Sequence, residues 1–415
     1  VIYTVKTGTY LDSTYPPNGR KLARKSNGDL WCTYRRSDGT YDQIYCSYST
    51  DGGETWTEEQ VTSATDNQYS ASIAIDSNDY VHIVFDGYSW GSNPTVRNIQ
   101  YRKRTTEWQA QEAVTDINYS QYHPAIAIDS NDYVHVAWAG TGTGLNPLYR
   151  NIQYRKRTTT WGAQESLSDV HAHNYEPAIA IDSDDNVHVV WTGAGWGTYT
   201  GYNNVQYRKR TTGWQAQEAI TDINAHQYFS GIAIDSNDYI HIIWEGAGWG
   251  IYTANDNVQY RKRTSAWETQ EGVTDKGAQQ YEPSIAIDSN DYVHVAWDGK
   301  GWGTNSDYYN IQYRRRTTTW QTQESITDRA YNNEYANLIW ARYPVIDSRK
   351  TNQPQAGCEI VWSGQDVSGY KVEFYKSDDI SWGAAGGGGS RGGGLSCVDA
   401  CYIIIRKGYN PAFKY

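Results

Sequence analysis

The tetrapeptide Ile-Ala-Ile-Asp recurs at 73–76, 126–129, 179–182, 232–235 and 285–288, a fixed step of 53 residues. The Ser that follows it falls at 77, 130, 183, 236 and 289. Degenerate copies flank this run: Leu22-Ala23 leading into Ser26-Asn27-Gly28-Asp29, and Val345-Ile346-Asp347-Ser348. A repeat of this length constrains the fold more than any other feature, because each copy is one supersecondary unit that buries its faces only against its neighbours.

Each copy reads as four short strands, A to D. Strand A is the Ile-Ala-Ile segment, and a tight turn such as Asp76-Ser77-Asn78-Asp79 follows. In the first copy the turn holds Asn27-Gly28, whose centres tolerate φ > 0. Strand B ends on an aromatic in all copies: Tyr34, Phe85, Trp138, Trp191, Trp244, Trp297 and Trp362. A variable loop leads to strand C, typified by Asn98-Ile99-Gln100-Tyr101-Arg102. A short turn then ends in Trp56, Trp108, Trp161, Trp214, Trp267, Trp320 or Trp382 before strand D. Blades packed face to face need apolar bulk on both sides, which these columns supply. The 37 Tyr, 18 Trp and 38 Gly suit strands joined by turns. The predicted fold is all-β: a seven-bladed β-propeller of four-stranded antiparallel blades, with a Gly-rich linker and a C-terminal strand-like tail.

The domain reading puts the propeller at 1–382, the linker at 383–394 and the tail at 395–415. After Trp382 the chain enters the Gly-rich run, so the last copy lacks its own strand D. Val1 to Thr7 alternates like a strand and is expected to close that blade. The tail then holds a surplus strand, with Cys397, Cys401, Tyr402, Ile403, Ile404 and Ile405 as candidate assembly residues. A twelve-residue Gly linker spans about 17–21 Å on average and about 40 Å at full stretch, enough to reach its own or a neighbouring subunit.

The first copy carries Ser49-Thr50-Asp51-Gly52-Gly53-Glu54-Thr55-Trp56 between strands C and D. This resembles the Asp-box, Ser-x-Asp-x-Gly-x-Thr-Trp, of sialidase-like (BNR-repeat) propellers, with Ser49, Asp51, Gly53 and Trp56 as its structural residues. The resemblance implies the fold and a turn away from the active site. Sialidases need three convergent arginines, a Tyr nucleophile with a Glu partner and an acid/base Asp. The rim offers Arg97, Arg150 and Arg342, but copies four to six carry Asn203, Asp256 and Tyr309 at the position of Arg97 and Arg150. The chain therefore reads as a non-catalytic member.

The His column (His82, His135, His188, His241, His294) reads as hydrogen bonding within each blade, because sheets roughly 10 Å apart cannot bring five imidazoles to one ion. The Asp-Ser-Asn-Asp turns suit calcium, but Asx-turn chemistry accounts for them and no cofactor or metal is expected. The basic column, Arg102-Lys103-Arg104 in copy two, faces Gln and Glu of strand D and reads as cross-strand pairing. With a net charge of −11, nucleic acid is not an expected partner. No apolar run reaches the roughly 18 residues of a membrane span. The chain begins at Val1, which a cleaved secretory leader and a trimmed chain explain equally well. The five cysteines leave one thiol free or bonded to another chain.

The strongest candidates for binding are aromatic loops. The B–C loops bring Trp90, Trp196, Tyr199, Trp249, Tyr252 and Trp302, and the D–A connections bring Tyr122, Tyr175, Tyr228 and Tyr281, to one rim. Such rings stack on sugar faces or anchor a protein contact. The spare strand and the regular body point to an extracellular or cell- or virion-surface structural protein. It would be non-enzymatic, a subunit of a homo-oligomer or homopolymer formed by terminal strand exchange. A multivalent lectin or adhesin using the aromatic rim is the alternative, and a sialidase-like glycoside hydrolase is a remote one.

Overall fold

The computed structural model describes residues 2–10, 13–16, 19–340, 358–366 and 369–376. They form seven four-stranded antiparallel sheets arranged as a propeller. Blades 1 to 6 cover residues 22–60, 68–113, 121–166, 174–219, 227–272 and 280–325. Strand A is innermost and strand D outermost, and strand D of blades 2 to 6 is only two residues long. Blade 7 takes three strands from the end of the described chain, Asn333–Trp340, Cys358–Asp366 and Gly369–Lys376. Its outermost strand is the N-terminal Ile2–Thr7, paired antiparallel with Ile2 opposite Tyr375 and Thr7 opposite Lys371. Among the described residues no helix is long and apolar enough to cross a membrane.

One feature of the repeat is placed differently from its sequence reading. Strand A of blade 7 is Asn333–Trp340, in step with Gln280–Ile287 of blade 6. The counterpart of Ile-Ala-Ile is therefore Leu338-Ile339-Trp340, and Val345 to Ser348 lie outside the described residues. The linker, Trp382 and the tail with Cys397, Cys401 and Tyr402 to Ile405 lie outside them too.

The core sits between blades. Ala137, Tyr154 and Leu167 of blade 3 pack on Ile179, Val189 and Trp191 of blade 4, and other neighbouring blades repeat the pattern. The turn Trp stacks edge-on against the strand C Tyr of the preceding blade, as in Tyr154–Trp214 at 5.1 Å between centroids. In the basic column the Lys pairs within its blade, as Lys103 does with Asp76, whereas the last Arg pairs across blades. Arg157 of blade 3 forms a bidentate pair with Glu112 of blade 2, both contacts at 2.8 Å. Blades 2 to 6 each pair with the preceding blade in this way, so the strand D Glu of one blade serves the Arg of the next.

Within each of blades 2 to 6 a buried Asp–His–Tyr chain ties strands A, B and C. In blade 4, His188 Nδ1 lies 2.7 Å from Tyr207 Oη, and its Nε2 lies 3.0 Å from Asp182 Oδ2. Burial holds this imidazole below its usual pKa, and hence neutral near pH 7. The acidic turns bind one another: Ser130 N and Oγ donate to the Asp185 carboxylate at 2.8 and 2.7 Å, and blades 1, 2, 4 and 5 repeat the link to the following blade.

Strand A carries the feature that builds the channel. Its register against strand B slips two residues in, between Tyr175 and Ala178 in blade 4 for example. The residue at the bulge has φ between 48° and 61°: Ser70, His123, Glu176, Phe229, Glu282 and Tyr335. A side chain with a Cβ costs of order 1–3 kcal/mol in that conformation, so the packing around it must hold it there.

Candidate functional site at the channel mouth

The segment between Ile2–Thr7 and Leu22–Arg24 must travel from the outer edge of blade 7 to the axis. It is held on the way by Thr9 N to Tyr370 O at 3.2 Å, Thr14 N to Ser363 Oγ at 3.0 Å, and Arg35 N to Ser13 O at 3.0 Å. Tyr15 then meets His123, Phe229 and Tyr335 edge-on, at 5.7, 6.1 and 5.2 Å between ring centroids. Tyr15 Oη donates to Glu176 Oε1 at 3.0 Å. These partners belong to blades 3, 5, 7 and 4, and one side chain touches four blades only at the axis. The bulges thus converge on a residue supplied by the N-terminal segment.

Glu176 is 8% exposed. Burial raises its carboxyl to about 7, against the opposing pull of the Tyr15 hydrogen bond and the Arg150 charge. Burial lowers the His123 imidazole to about 4, helped by Arg97 and Arg150. Its Nδ1 stands 3.8 Å from Glu176 Oε1, beyond a hydrogen bond. Burial, and then the Glu176 charge, hold the Tyr15 phenol well above its ordinary value. Near neutral pH the centre therefore contains a carboxyl that exchanges its proton readily, a protonated phenol and an unprotonated imidazole. A carboxyl poised near the working pH transfers protons in both directions, which general acid–base chemistry requires.

Carboxyls dominate the far side of the axis. Burial, followed by the charge of neighbouring carboxylates, holds Glu282 and Asp298 of blade 6 well above the usual carboxylate range. Burial does the same to Glu245 of blade 5. Glu245 and Asp298, at the end of strand B, accept the backbone N–H of the next blade's bulge: Glu282 N for Glu245, and Tyr335 N at 3.2 Å for Asp298. Asp86 holds His123 N at 3.2 Å in the same way.

Over blades 1 to 4 the rim is an alternating stack of rings and guanidinium groups. Arg35 lies between Tyr10 and Tyr69, at 5.5 and 5.2 Å from the ring centroids. Arg97 lies between Tyr69 and Tyr122, at 4.3 and 4.8 Å. Arg150 lies between Tyr122 and Tyr175, at 4.6 and 5.6 Å. Tyr228 and Tyr281 continue the ring column without arginine, Tyr228 stacked on His226 and Tyr281 tilted against Tyr309. Arg342 lies outside the described residues.

The B–C loop aromatics divide into two groups. Trp90, Trp196, Tyr199 and Tyr252 are 37–46% exposed. Trp302 is held, its Nε1 donating to Gln280 Oε1 at 2.8 Å under the Lys276 ammonium, and Trp249 lies against Gly272. An Asp from the following D–A connection caps each loop. In blade 4, Asp222 accepts Thr198 N and Tyr199 N at 2.8–2.9 Å, beside Gly197 at φ 80°. At the Ser49–Trp56 turn, Ser49 Oγ donates to Asp51 Oδ1 at 2.7 Å and accepts Gly53 N at 2.7 Å. Trp56 Nε1 donates to Gly53 O at 2.9 Å.

Sequence reasoning passed over Tyr15, His123, Glu176, Glu245, Glu282 and Asp298. Their signal was present as variation: directly after the repeated Tyr the copies read Ser70, His123, Glu176, Phe229 and Glu282, three residues before the invariant Ile-Ala-Ile-Asp.

No protein-family model and no curated protein matches the chain. Among solved structures it is similar to a polysaccharide lyase of family PL25, an ulvan lyase bound to -[GlcA(1-4)Rha3S]-. The TM-score is 0.57 at 12% identity, covering 91% of this chain and 94% of that one. It is also similar to the polysaccharide lyase Uly1 (TM-score 0.53, 9% identity, 89% and 92% covered). A third neighbour is a protein of unknown function from Dyadobacter fermentans (0.50, 12%, 72% and 94%). At such identity the likeness carries the propeller fold. It nevertheless overturns the expectation of a non-enzymatic structural subunit assembled by strand exchange. Chains that share this fold over nine tenths of its length are polysaccharide lyases, so a regular propeller body is no argument against catalysis. The premise of unbroken symmetry also fails, because the copies diverge where they meet the axis.

Proposed function

We propose that the protein is an extracellular glycan-cleaving enzyme whose reaction centre is the channel mouth, with Glu176 as the proton-transferring group and Tyr15 as its partner. The observation that carries this reading is the 3.0 Å hydrogen bond from Tyr15 Oη to a buried Glu176 at the axis. Breaking a glycosidic bond requires a proton for the departing oxygen. A carboxyl raised to about 7 still holds one near neutrality. Once ionised, Glu176 keeps the hydrogen bond donated by the Tyr15 phenol, which lies beside neutral His123 and retains its proton. The polysaccharide lyases among the structural neighbours support a carbohydrate substrate, as does the rim of Tyr rings, whose faces suit sugar stacking. The Ser49–Trp56 turn supports kinship with Asp-box propellers.

The test is chain shortening of uronate-bearing, sulfated and neutral polysaccharides, followed by new reducing ends and by absorbance of unsaturated uronyl ends. Wild-type protein is expected to shorten at least one of them, and Glu176→Gln to lower kcat by about 100-fold or more. Full turnover in Glu176→Gln would sink the reading. The exposure of Trp196, Tyr199 and Tyr252 favours a second reading, a multivalent glycan binder. Binding without shortening, lost in Trp196→Ala and Tyr252→Ala, would select it.

A further inference from the structure

The end of strand B and the residue before strand C stand side by side at the mouth of every blade, and their charges can be compared blade by blade. Blade 1 has Arg35 with Asp42, 3.5 Å apart. Blade 2 has the reverse order, Asp86 with Arg97, the Arg97 Nε donating to Asp86 Oδ2 at 2.6 Å. Blade 4 has Thr192 with Asn203, blade 5 has Glu245 with Asp256, and blade 6 has Asp298 with Tyr309. Among blades 1 to 6 only blade 3 keeps the arginine and lacks the carboxylate: Ala139 stands where blade 2 has Asp86, while Arg150 keeps the place of Arg97.

Arg150 is consequently a guanidinium without a carboxylate partner among the described residues. Its ring contacts with Tyr122 and Tyr175 hold it in place, and the backbone N–H of Arg150 donates to His173 Nδ1 at 3.0 Å. It is close enough to Glu176 and His123 for its charge to act on both. A planar guanidinium held between two rings has its donors set for a two-point bond to an oxyanion. In blades 1 and 2 an internal carboxylate takes up that capacity.

We propose that Arg150 is the anion-recognition residue of the channel mouth and that it takes a carboxylate or sulfate group on a glycan chain lying over Tyr122 and Tyr175, beside Glu176. This rests on the reading of the mouth as a glycan site and adds the charge class of the substrate. Selectivity follows from the single alanine at 139, since the neighbouring blade shows what an aspartate there does to its arginine.

The experiment puts the blade 2 arrangement into blade 3. Full-length wild type, Ala139→Asp, the uncharged control Ala139→Asn and Arg150→Gln are titrated calorimetrically with three probes. These are an oligogalacturonate (carboxylates only), a sulfated galactan oligosaccharide with no uronate, and a neutral cello-oligosaccharide. Thermal melts verify folding. The expected result is binding of at least one anionic probe and weaker or no binding of the neutral one. Ala139→Asp and Arg150→Gln should each weaken the anionic probe about tenfold or more, and Ala139→Asn by less than about threefold. Which anionic probe binds separates carboxylate from sulfate. Equal affinity of Ala139→Asp and wild type, equal losses in Ala139→Asp and Ala139→Asn, or failure of both anionic probes to bind overturns the proposal. Chain shortening measured on the same samples separates the two readings. Charge-dependent binding without any shortening removes the enzyme and keeps the anion site. Shortening unaffected by Ala139→Asp does the reverse.

Discussion

Glu176 is where pH should act on both stability and turnover. Its carboxyl titrates at about 7 in the folded chain and near 4.5 when unfolded. Between those values the folded state keeps a proton that the unfolded chain has released, so stability falls as pH rises through the interval. Burial moves Glu245, Glu282 and Asp298 in the same direction. Asp76 and Asp129 act oppositely. Burial raises both, but hydrogen bonds to His82 or His135 and to the turn backbone, together with the Lys103 or Lys156 ammonium, outweigh it and hold them down at about 2, so they contribute stability that is lost only as pH falls below the ordinary carboxylate range. The buried imidazoles pull the other way, since His123 and the blade histidines are held low and their contribution is lost as pH falls, so the expectation is a difference: Glu176→Gln gains in melting temperature relative to wild type between about pH 5 and about pH 8. A difference between Glu176→Gln and wild type that stays constant over this range would show that Glu176 is not buried as described.

At the scale of a strand set, the Asp–His–Tyr chain is the unit that makes each blade one body. Removing its middle member by His188→Ala leaves Tyr207 Oη without its 2.7 Å partner and takes one bond from Asp182, which keeps Lys209 and Asn186. The expected cost is about 2–3 kcal/mol in denaturant unfolding, with glycan affinity unchanged because the chain is remote from the mouth. A cost below about 0.5 kcal/mol would mean that water or a repacked Tyr207 replaces the imidazole. This column was legible from sequence, since a His every 53 residues on strand B cannot converge and must be used locally. The inter-blade Arg–Glu pairing was not legible. Arg104 and Glu112 lie close in sequence, and only the stacking of blades shows that Glu112 faces Arg157 instead.

For the whole molecule, ring closure and site assembly depend on the same few residues. Ile2–Thr7 completes blade 7, and the chain that leaves it brings Tyr15 to the axis. Deleting residues 1–7 exposes the edge of Gly369–Lys376 and removes the anchor of that segment. The melting temperature is expected to fall by about 5 °C or more, and turnover to fall even where the ring is still folded. A synthetic peptide of residues 1–7 should restore both. Recovery of stability without turnover would separate the closing strand from the delivery of Tyr15.

The repeat by itself determined the blade: four strands, aromatic columns between blades, a turn that accepts φ > 0. Each follows from burial against an identical neighbour and is written locally in every copy. It also pointed to the rim aromatics. It misplaced the last copy, where Leu338-Ile339-Trp340 lacks the small middle residue of the motif. The site was decided by the tertiary structure alone. Tyr15, His123 and Glu176 are separated by 108 and 53 residues, and no local pattern links them. They meet because seven twisted sheets close on an axis and a bulge in each of blades 2 to 7 turns one side chain toward it. The charge of Arg150 is of the same kind: its meaning lies in Ala139, eleven residues earlier, and appears only when blade 3 is set beside blade 2.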